Sequence, residues 1–164
     1  MGKLTSLAVA LLGYAAFLVG MVATYARLPE RMASHFGADG VANGWMTRDG
    51  YFWFMVGIVT FVSLTMLAAF GSIRFLPNSM INIPRRDYWL APERRDETAG
   101  TLLGYGLWMI GLNSLFFLAI HLLVVAANES QPTRLSNAVW WMLAAYLATT
   151  GVFVFKLYRR FASN

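Results

Sequence analysis

Four long stretches without Asp, Glu, Lys or Arg dominate this sequence and limit what it can fold into. They cover residues 4–25, 51–73, 101–127 and 138–155. A helix of roughly 20 apolar residues spans the hydrocarbon core of a bilayer. The chain is 58% hydrophobic and 13% charged, whereas a soluble domain is about 45–50% apolar and about 25% charged. We therefore predict an all-α integral membrane protein, a four-transmembrane-helix bundle that forms one domain over residues 1–164.

Lysines and arginines are unevenly divided among the segments that flank these spans. The amino-terminal tail, the loop of residues 74–100 and the carboxy-terminal tail hold nine, and the two remaining loops hold four, which together are the 13 in the chain. Lys and Arg concentrate on the cytoplasmic side of membrane proteins. We therefore predict that the N and C termini and the 74–100 loop are cytoplasmic. The loop of residues 26–50 is then extracytoplasmic.

Small residues at four-residue spacing indicate where helices can approach closely. Ala16 and Gly20 in the first span have this spacing, as do Gly100 and Gly104 at the start of the third. Such pairs let transmembrane helix backbones pack tightly. We expect a compact bundle in which short connections make neighbouring helices antiparallel.

Several function classes are excluded or disfavoured by what the chain contains. It has no cysteine, which excludes disulfides, thiolate metal sites and cysteine nucleophiles. It has no phosphate-cradling glycine motif and no nucleophile elbow, so we predict no catalytic residue and no cofactor. Its arginines are few and interleaved with acids, which argues against nucleic-acid binding. A lipid-processing activity at a membrane surface stays open as an alternative.

The extracytoplasmic loop carries signals for a compact structure. Pro29 and Glu30 suit the first turn of a helix. Four side chains then fall on one helical face, which predicts a short interfacial helix; they are Leu28, Met32, His35 and Phe36. Turn signals at residues 37–40 and 43–44 would fold the chain back toward Trp45.

The same loop contains a Leu-Pro pair, a His followed by an aromatic residue, and then a Gly, an Asp-like residue, a Trp and a basic residue. These positions are Leu28, Pro29, His35, Phe36, Gly40, Asn43, Trp45 and Arg48. In this pattern the chain resembles the DUF1648 family, whose better-known members are the SdpI-like immunity and signalling proteins of bacterial membranes. Two positions depart from the family: Ala33 replaces a second proline, and Asn43 stands where aspartate is common. A role that needs a negative charge at residue 43 is therefore not expected.

The resemblance implies a protein of the bacterial cytoplasmic (inner) membrane without an established enzymatic activity. Some relatives protect the cell from a secreted toxin or capture a regulator at the membrane. We therefore expect an accessory, immunity or signalling-type protein that binds another membrane protein or a second copy of itself. The candidate binding residues in the extracytoplasmic loop are Pro29, His35, Phe36, Gly40, Asn43, Trp45 and Arg48.

The 74–100 loop, part of which also looks like a loop of this family, offers a second candidate surface. Its arginines can grip phosphate bidentately, and its aromatic side chains favour the membrane interface. Anionic lipid headgroups and a cytoplasmic partner are both open as ligands. Pro92 and Glu93 predict the start of a helix. The candidate residues are Arg85, Arg86, Tyr88, Trp89, Glu93, Arg94 and Arg95.

Two polar side chains, Asn113 and His121, lie inside the third span. Polar groups within a membrane usually face protein or water. Counting about 1.5 Å per residue from Thr101 places His121 roughly 30 Å away, on the same side as His35. We expect His121 to hydrogen-bond a neighbouring helix. A small proton or solute channel or carrier that uses His121 and Asn113 is the alternative.

His35 also has two interpretations. Its ring can hydrogen-bond within the loop and fix the turn, or it can bind a ligand or sense pH. A divalent metal site built from His35 and His121, with Glu30 and Asp39 nearby, is a further alternative. The spacing of these residues matches no metal-binding motif with a defined mechanism.

Overall fold

Four long helices and one short β-hairpin make up the structure, a computed structural model that describes residues 2–163. In chain order the elements are α1 (Lys3–Thr24), β1 (Arg31–Phe36), β2 (Ala42–Thr47), α2 (Arg48–Ser72), α3 (Arg86–Trp89), α4 (Arg95–Glu129) and α5 (Ala138–Ala162). Short 3-10 turns lie at Tyr25–Arg27 and Asn78–Met80. The hairpin joins α1 to α2 and defines the hairpin end of the molecule. Helices α1 and α4 begin at the opposite, basal end.

The long helices expose more apolar surface than water would tolerate. Each is long and apolar enough to cross a membrane. In the most apolar window of each helix, the buried share ranges from 0% in α5 to 39% in α4. Soluble monomers rarely expose contiguous apolar patches of such size. The four helices overlap the four predicted spans, which confirms a mostly helical protein of the membrane type.

The prediction of an all-α fold is wrong between the first two helices. The segment expected to form an interfacial helix is strand β1, which pairs antiparallel with β2. Opposed residues include Arg31 with Thr47 and Ala33 with Trp45. A helix of one or two turns is marginal by itself because its nucleation is costly. The hairpin instead pairs the backbone and buries Met32 completely.

The turn signals are correct in one place and wrong in the other. The hairpin loop does turn at residues 37–41. There Gly40 adopts a φ of 80°, a left-handed conformation that residues with a side chain rarely adopt. Asn43 and Gly44, however, lie inside β2 and not in a turn. Gly44 is opposite His35, and a Cβ built on Gly44 would lie 2.8 Å from the His35 Cβ. Close contact across the hairpin, not a turn, requires this glycine.

Helix α4 is central, and its most extensive neighbour is α1. The two helices run parallel: Gly100 faces Lys3 at the basal end, and Gly20 faces Leu118 further along. The expectation of antiparallel neighbours concerns helices joined by short connections, and α1 and α4 are not consecutive, since α2 lies between them in the chain. Residues 25–94, which include the hairpin and α2, lie between α1 and α4 in the sequence and return the chain to the basal end.

The closest approach of α1 and α4 is at Gly13 and Gly111. A Cβ on Gly13 would lie 2.8 Å from the Gly111 carbonyl oxygen, and one on Gly111 would lie 2.6 Å from the Val9 carbonyl oxygen. Small residues do bring these helices together, as expected for membrane helices. The tightest crossing, however, involves a glycine pair that the four-residue spacing did not single out.

Helix α5 packs along one side of α4. Phe116 and Tyr146 stack with ring centroids 4.2 Å apart, and Phe153 contacts Tyr105 edge-to-face. Within α5, all of whose residues are described, only Phe161 is buried. The molecule is therefore a core of α1, α2 and α4 with a peripheral fourth helix, and not an evenly packed bundle.

The glycine crossing predicts a specific stability defect. Gly111→Ala should destabilise the protein by about 1–3 kcal/mol, because the added methyl group meets backbone that cannot move freely. Gly151→Ala is the matched control, since a Cβ on Gly151 meets nothing within 4 Å and both variants gain the same helix propensity. Unfolding in detergent measures the difference. Equal stability of the two variants would contradict the crossing.

Candidate functional site at the hairpin end

The β1 strand is held by a side chain from the last turn of α4. The Ala33 amide donates to Asn128 Oδ1 at 2.7 Å, and Asn128 Nδ2 donates to the Ala33 carbonyl oxygen at 2.9 Å. The carboxamide thus pairs with β1 as a neighbouring strand would. Nδ2 also contacts the Val124 carbonyl oxygen at 2.9 Å, which fixes the amide orientation. The outer edge of β1 is therefore occupied at its centre.

A bidentate ion pair joins the end of α1 to the end of α4. Arg27 Nε and Nη2 donate to the two carboxylate oxygens of Glu129, each at 2.8 Å. Arg27 lies in the 3-10 turn that leads into the hairpin. Such fork-shaped pairs add geometric specificity, although the exposure of both side chains limits their energy. The pair mainly fixes the direction in which the hairpin leaves α1.

His121 connects three helices beneath the hairpin. Its side chain is fully buried, with Nε2 2.7 Å from the Thr24 hydroxyl of α1 and Nδ1 3.0 Å from the Tyr51 hydroxyl of α2. A neutral imidazole has one donor and one acceptor nitrogen, so one hydroxyl accepts a hydrogen bond from the ring and the other donates to it. The Tyr51 ring also stacks against the imidazole at 5.7 Å. His121 thereby ties together the helices that carry the hairpin.

Asn113 belongs to a different contact. Its Oδ1 accepts a hydrogen bond from the Tyr146 hydroxyl of α5 at 3.3 Å, while its buried Nδ2 has no partner among the described residues. Asn113 and His121 are eight positions apart, or about 12 Å along the helix axis. Asn113 bonds to α5, whereas His121 bonds to α1 and α2. These contacts therefore do not join the two side chains in one polar path.

Most of the family-pattern residues build the hairpin's geometry. Within the hairpin, His35 Nδ1 pairs with Asn43 Oδ1. Gly40 accepts a hydrogen bond from the Leu135 amide at 2.9 Å, and a Cβ on Gly40 would lie 2.6 Å from the Leu135 carbonyl oxygen. Phe36 is half-buried against the core, whereas Pro29 is exposed.

Arg48 is also structural. Its Nη1 donates to the Leu28 carbonyl oxygen at 3.2 Å, and its guanidinium lies 4.7 Å from the Tyr25 ring centroid. The Tyr25 hydroxyl in turn donates to Asp49. Arg48 therefore connects the start of α2 to the chain that leaves α1.

Trp45 is the family-pattern residue that presents the largest apolar surface outward. Its side chain is 47% exposed, and Val41 is 50% exposed. The Arg31 guanidinium lies 5.9 Å from the Trp45 ring centroid. Val41 forms an isolated bridge with Arg134, and Arg134 also donates to the Asp39 carbonyl oxygen at 2.8 Å. The loop before α5 therefore supports the hairpin tip from one side.

The free edge of the hairpin follows from its register. Ala33 directs both backbone groups toward Asn128, away from β2. In an antiparallel ladder, directly opposed residues either exchange both backbone bonds or point both sets of groups outward. Trp45 is opposed to Ala33, so its N–H and C=O point away from β1. An exposed aromatic side chain and an open pair of backbone groups therefore lie together on β2.

The histidines do not form the alternative metal site. His35 bonds to Asn43, His121 bonds to two hydroxyls, and Asp39 Oδ1 accepts the Val41 amide at 3.0 Å. Within residues 2–163 no group of three His, Asp or Glu side chains is placed to hold a metal ion.

At the basal end, the predicted arginine and aromatic residues separate into two groups. Arg95 donates to the Arg74 and Ile73 carbonyl oxygens at 3.3 and 3.4 Å, and so caps the end of α2. Trp89 Nε1 donates to the Phe161 carbonyl oxygen at 2.9 Å. These two residues hold the loop in place. Helix α4 begins at Arg95, three residues after the proline that was expected to start it.

The remaining basal candidates face outward. Two guanidinium groups lie over the Tyr88 ring, that of Arg94 at 4.1 Å and that of Arg85 at 5.1 Å from its centroid. Arg94 also pairs with Glu93 at 3.0 Å, and Arg86 is exposed. This exposed group keeps positive charge beside an aromatic ring, the combination expected at a headgroup surface.

The residues that sequence reasoning missed are those that anchor the hairpin from a distance. Asn128 and Glu129 are polar residues at the end of an apolar span, and that was the available signal. Their partners, Ala33 and Arg27, lie about 100 positions earlier in the sequence. No local pattern connects these positions.

The fold and these contacts define a class: membrane-type helical proteins with a β-hairpin clamped over one end. Residues 11–60 match the family described as Domain of unknown function (DUF1648). This segment covers most of α1, the hairpin and half of α2, and it contains the loop pattern in which the chain resembles that family. No curated protein and no solved structure matches the chain.

The Asn128 clamp predicts a local change in hydrogen exchange. Asn128→Leu keeps the side-chain size but removes two bonds to β1, each worth about 1 kcal/mol. The Ala33 amide should therefore exchange at least about tenfold faster, while amides of the α1 core stay protected. Asn137→Leu is the control, because Asn137 is exposed and its side chain makes no capping bond. Unchanged exchange at Ala33 would show that the clamp does not hold β1.

Proposed function

We propose that this protein is an accessory, immunity or signalling-type component of the bacterial cytoplasmic membrane that binds a protein partner through its hairpin end. The observation that carries the proposal is the open edge of β2, where the Trp45 backbone groups point outward beside an exposed aromatic ring. The partner supplies an extended segment that pairs with this edge.

Strand addition fits the two unequal edges of the hairpin. In this mode, main-chain hydrogen bonds supply affinity and side-chain pockets supply specificity. The β1 edge is occupied by Asn128, so a partner strand can add only beside β2. Val41, just before β2, is bridged to Arg134, so the open part of this edge lies at Trp45, whose ring is exposed. Aromatic residues are common energetic anchors in interfaces.

Rigidity also supports the hairpin as a binding element. The Asn128 clamp, the Arg27–Glu129 pair and the His121 contacts fix the hairpin on three helix ends before any partner arrives. Binding then orders few additional groups, which reduces its entropic cost. A flexible connector of the same length would not have this property.

Charge distribution supports an orientation with the hairpin end outside the cytoplasm. Nine of the 13 lysines and arginines lie in the segments at the basal end, and such residues favour the cytoplasmic side. The partner is therefore an exported protein or the extracytoplasmic part of another membrane protein. The exposed Arg85, Arg86 and Tyr88 form a second surface for anionic headgroups or a cytoplasmic partner.

A proton or solute carrier that uses His121 and Asn113 is the competing proposal, and it has less support. Both His121 ring nitrogens are engaged by hydroxyl groups of neighbouring helices. Asn113 contacts α5 instead. A carrier would need these separate contacts to open and rejoin during each cycle.

Photo-crosslinking tests the binding proposal directly. A photoreactive phenylalanine analogue at position 41, in cells of the native host, should yield a discrete protein adduct. Trp45→Pro in the same chain should remove that adduct, because proline lacks the N–H that a partner strand needs. The hairpin itself should persist, since this N–H points away from β1.

Two controls accompany the experiment. Trp45→Phe should retain the adduct at near normal yield because it keeps both the N–H and an aromatic ring. The same analogue at Trp141, which is 79% exposed on α5, should not give that adduct. An adduct that survives Trp45→Pro, or that also forms from position 141, would contradict recognition through the β2 edge.

A further inference from the structure

Two adjoining cavities lie at the basal end, far from the hairpin. Their volumes are about 560 and 450 Å³. We name them together the basal cleft, because the same five residues line both: Lys3, Arg74, Asp96, Gly100 and Gly104. The cleft lies between the start of α1, the end of α2 and the start of α4. Arg160 in the last turns of α5 completes the larger cavity.

The basal cleft changes from polar to apolar along the helix axis. Its mouth is charged, and its deeper wall is apolar; the wall residues are Leu7, Leu67, Phe70, Leu103 and Leu107. From Asp96 at the mouth to Leu107 is eleven residues of α4, or about 16 Å. The apolar wall therefore extends into the part of the helices that lies within hydrocarbon.

The charges at the mouth leave one cation unmatched. Arg74 Nε pairs with Asp96 at 3.1 Å, and Arg160 Nη2 lies 3.5 Å from Glu97. Lys3 has no carboxylate within 4 Å among residues 2–163. Three cations and two carboxylates give this mouth a net charge of +1. An anionic group near Lys3 would balance it.

Glycine residues keep the basal cleft open, although the packing of α1 against α4 does not require glycine at these positions. A Cβ on Gly104 would lie 3.5 Å from Ser6 Oγ, and one on Gly100 would lie 3.6 Å from Lys3 Cε. Both are ordinary contacts, unlike the 2.6 Å approach at Gly111. Alanine would fit here, so the missing side chains create space in the cleft.

We propose that the basal cleft binds one anionic phospholipid from the adjacent leaflet. The phosphate lies at the mouth near Lys3 and Arg74, and an acyl chain lies along the wall formed by Leu67, Phe70 and Leu107. A small anion alone would leave the apolar wall uncovered. A hydrocarbon chain alone would leave the positive charge of Lys3 without a counter-ion. A phospholipid satisfies both surfaces. This site is separate from the exposed Arg85 and Arg86 and does not depend on the hairpin's partner.

Native mass spectrometry of the purified full-length chain tests the proposal. After exchange into a neutral detergent with phosphatidylglycerol, the protein should retain one lipid molecule. Phosphatidylcholine, which has no net charge, should be retained less. Lys3→Gln should reduce phosphatidylglycerol retention about fivefold, the effect of one cation near an anionic lipid. Gly104→Leu should reduce it at least as much by filling the cleft.

Matched variants distinguish lipid binding in the cleft from nonspecific electrostatic or hydrophobic binding of lipid elsewhere on the protein. Lys156→Gln removes a lysine near the basal end outside the cleft, and Gly151→Leu adds the same side chain where nothing lies within 4 Å. Both should retain the lipid as the unmodified chain does. Equal retention by Lys3→Gln and Lys156→Gln would overturn the proposal. So would thermal protection by inorganic phosphate equal to that by phosphatidylglycerol, because the site would then bind an anion only.

Discussion

The parallel contact between α1 and α4 determines the rest of this structure. Where Gly13 meets Gly111, the two backbones approach so closely that neither position has room for a side chain. Because both helices run in the same direction, α1 ends at Thr24 beside His121, and α4 continues beyond it to Glu129. The residues that follow α1 therefore meet the last turns of α4, and the hairpin comes within reach of Asn128 and Glu129.

The same contact aligns the polar groups beneath the hairpin. Thr24, near the end of α1, faces His121 of α4, and Tyr51 near the start of α2 completes the set. Buried polar groups of membrane helices need such partners because lipid offers none. His121 therefore stabilises the junction that carries the proposed recognition edge. The proposed roles at the hairpin end and in the basal cleft both depend on this helix pair.

Local patterns were sufficient to predict the helices but not the hairpin. The span limits follow from uncharged apolar runs, and a long apolar helix is stable in lipid whatever its neighbours. The β1 residues have helix-like spacing, yet Ala33 is fixed by Asn128, 95 positions later. The position of His121 was predicted from the helical rise alone. Its partners Thr24 and Tyr51 depend on helix packing, which no local pattern encodes.

The family pattern has a physical explanation in this structure. Gly40 permits the hairpin turn, His35 and Asn43 pair within the hairpin, and Arg48 joins α2 to the end of α1. These residues shape the hairpin, while Trp45 is left exposed at its open edge. A charge at position 43 is not needed for this architecture, because the Asn43 amide oxygen already accepts the contact from His35.

The sidedness of the molecule is the claim on which the proposed function depends most, and cysteine labelling tests it most directly. The chain has no cysteine, so single substitutions at two exposed positions, Ala38→Cys at the hairpin tip and Ser79→Cys at the basal end, need no background correction. A membrane-impermeant maleimide applied to cells whose cytoplasmic membrane is intact should label Ala38→Cys, and should label Ser79→Cys only after that membrane is permeabilised. Labelling of Ser79→Cys in intact cells, or protection of Ala38→Cys, would contradict the account.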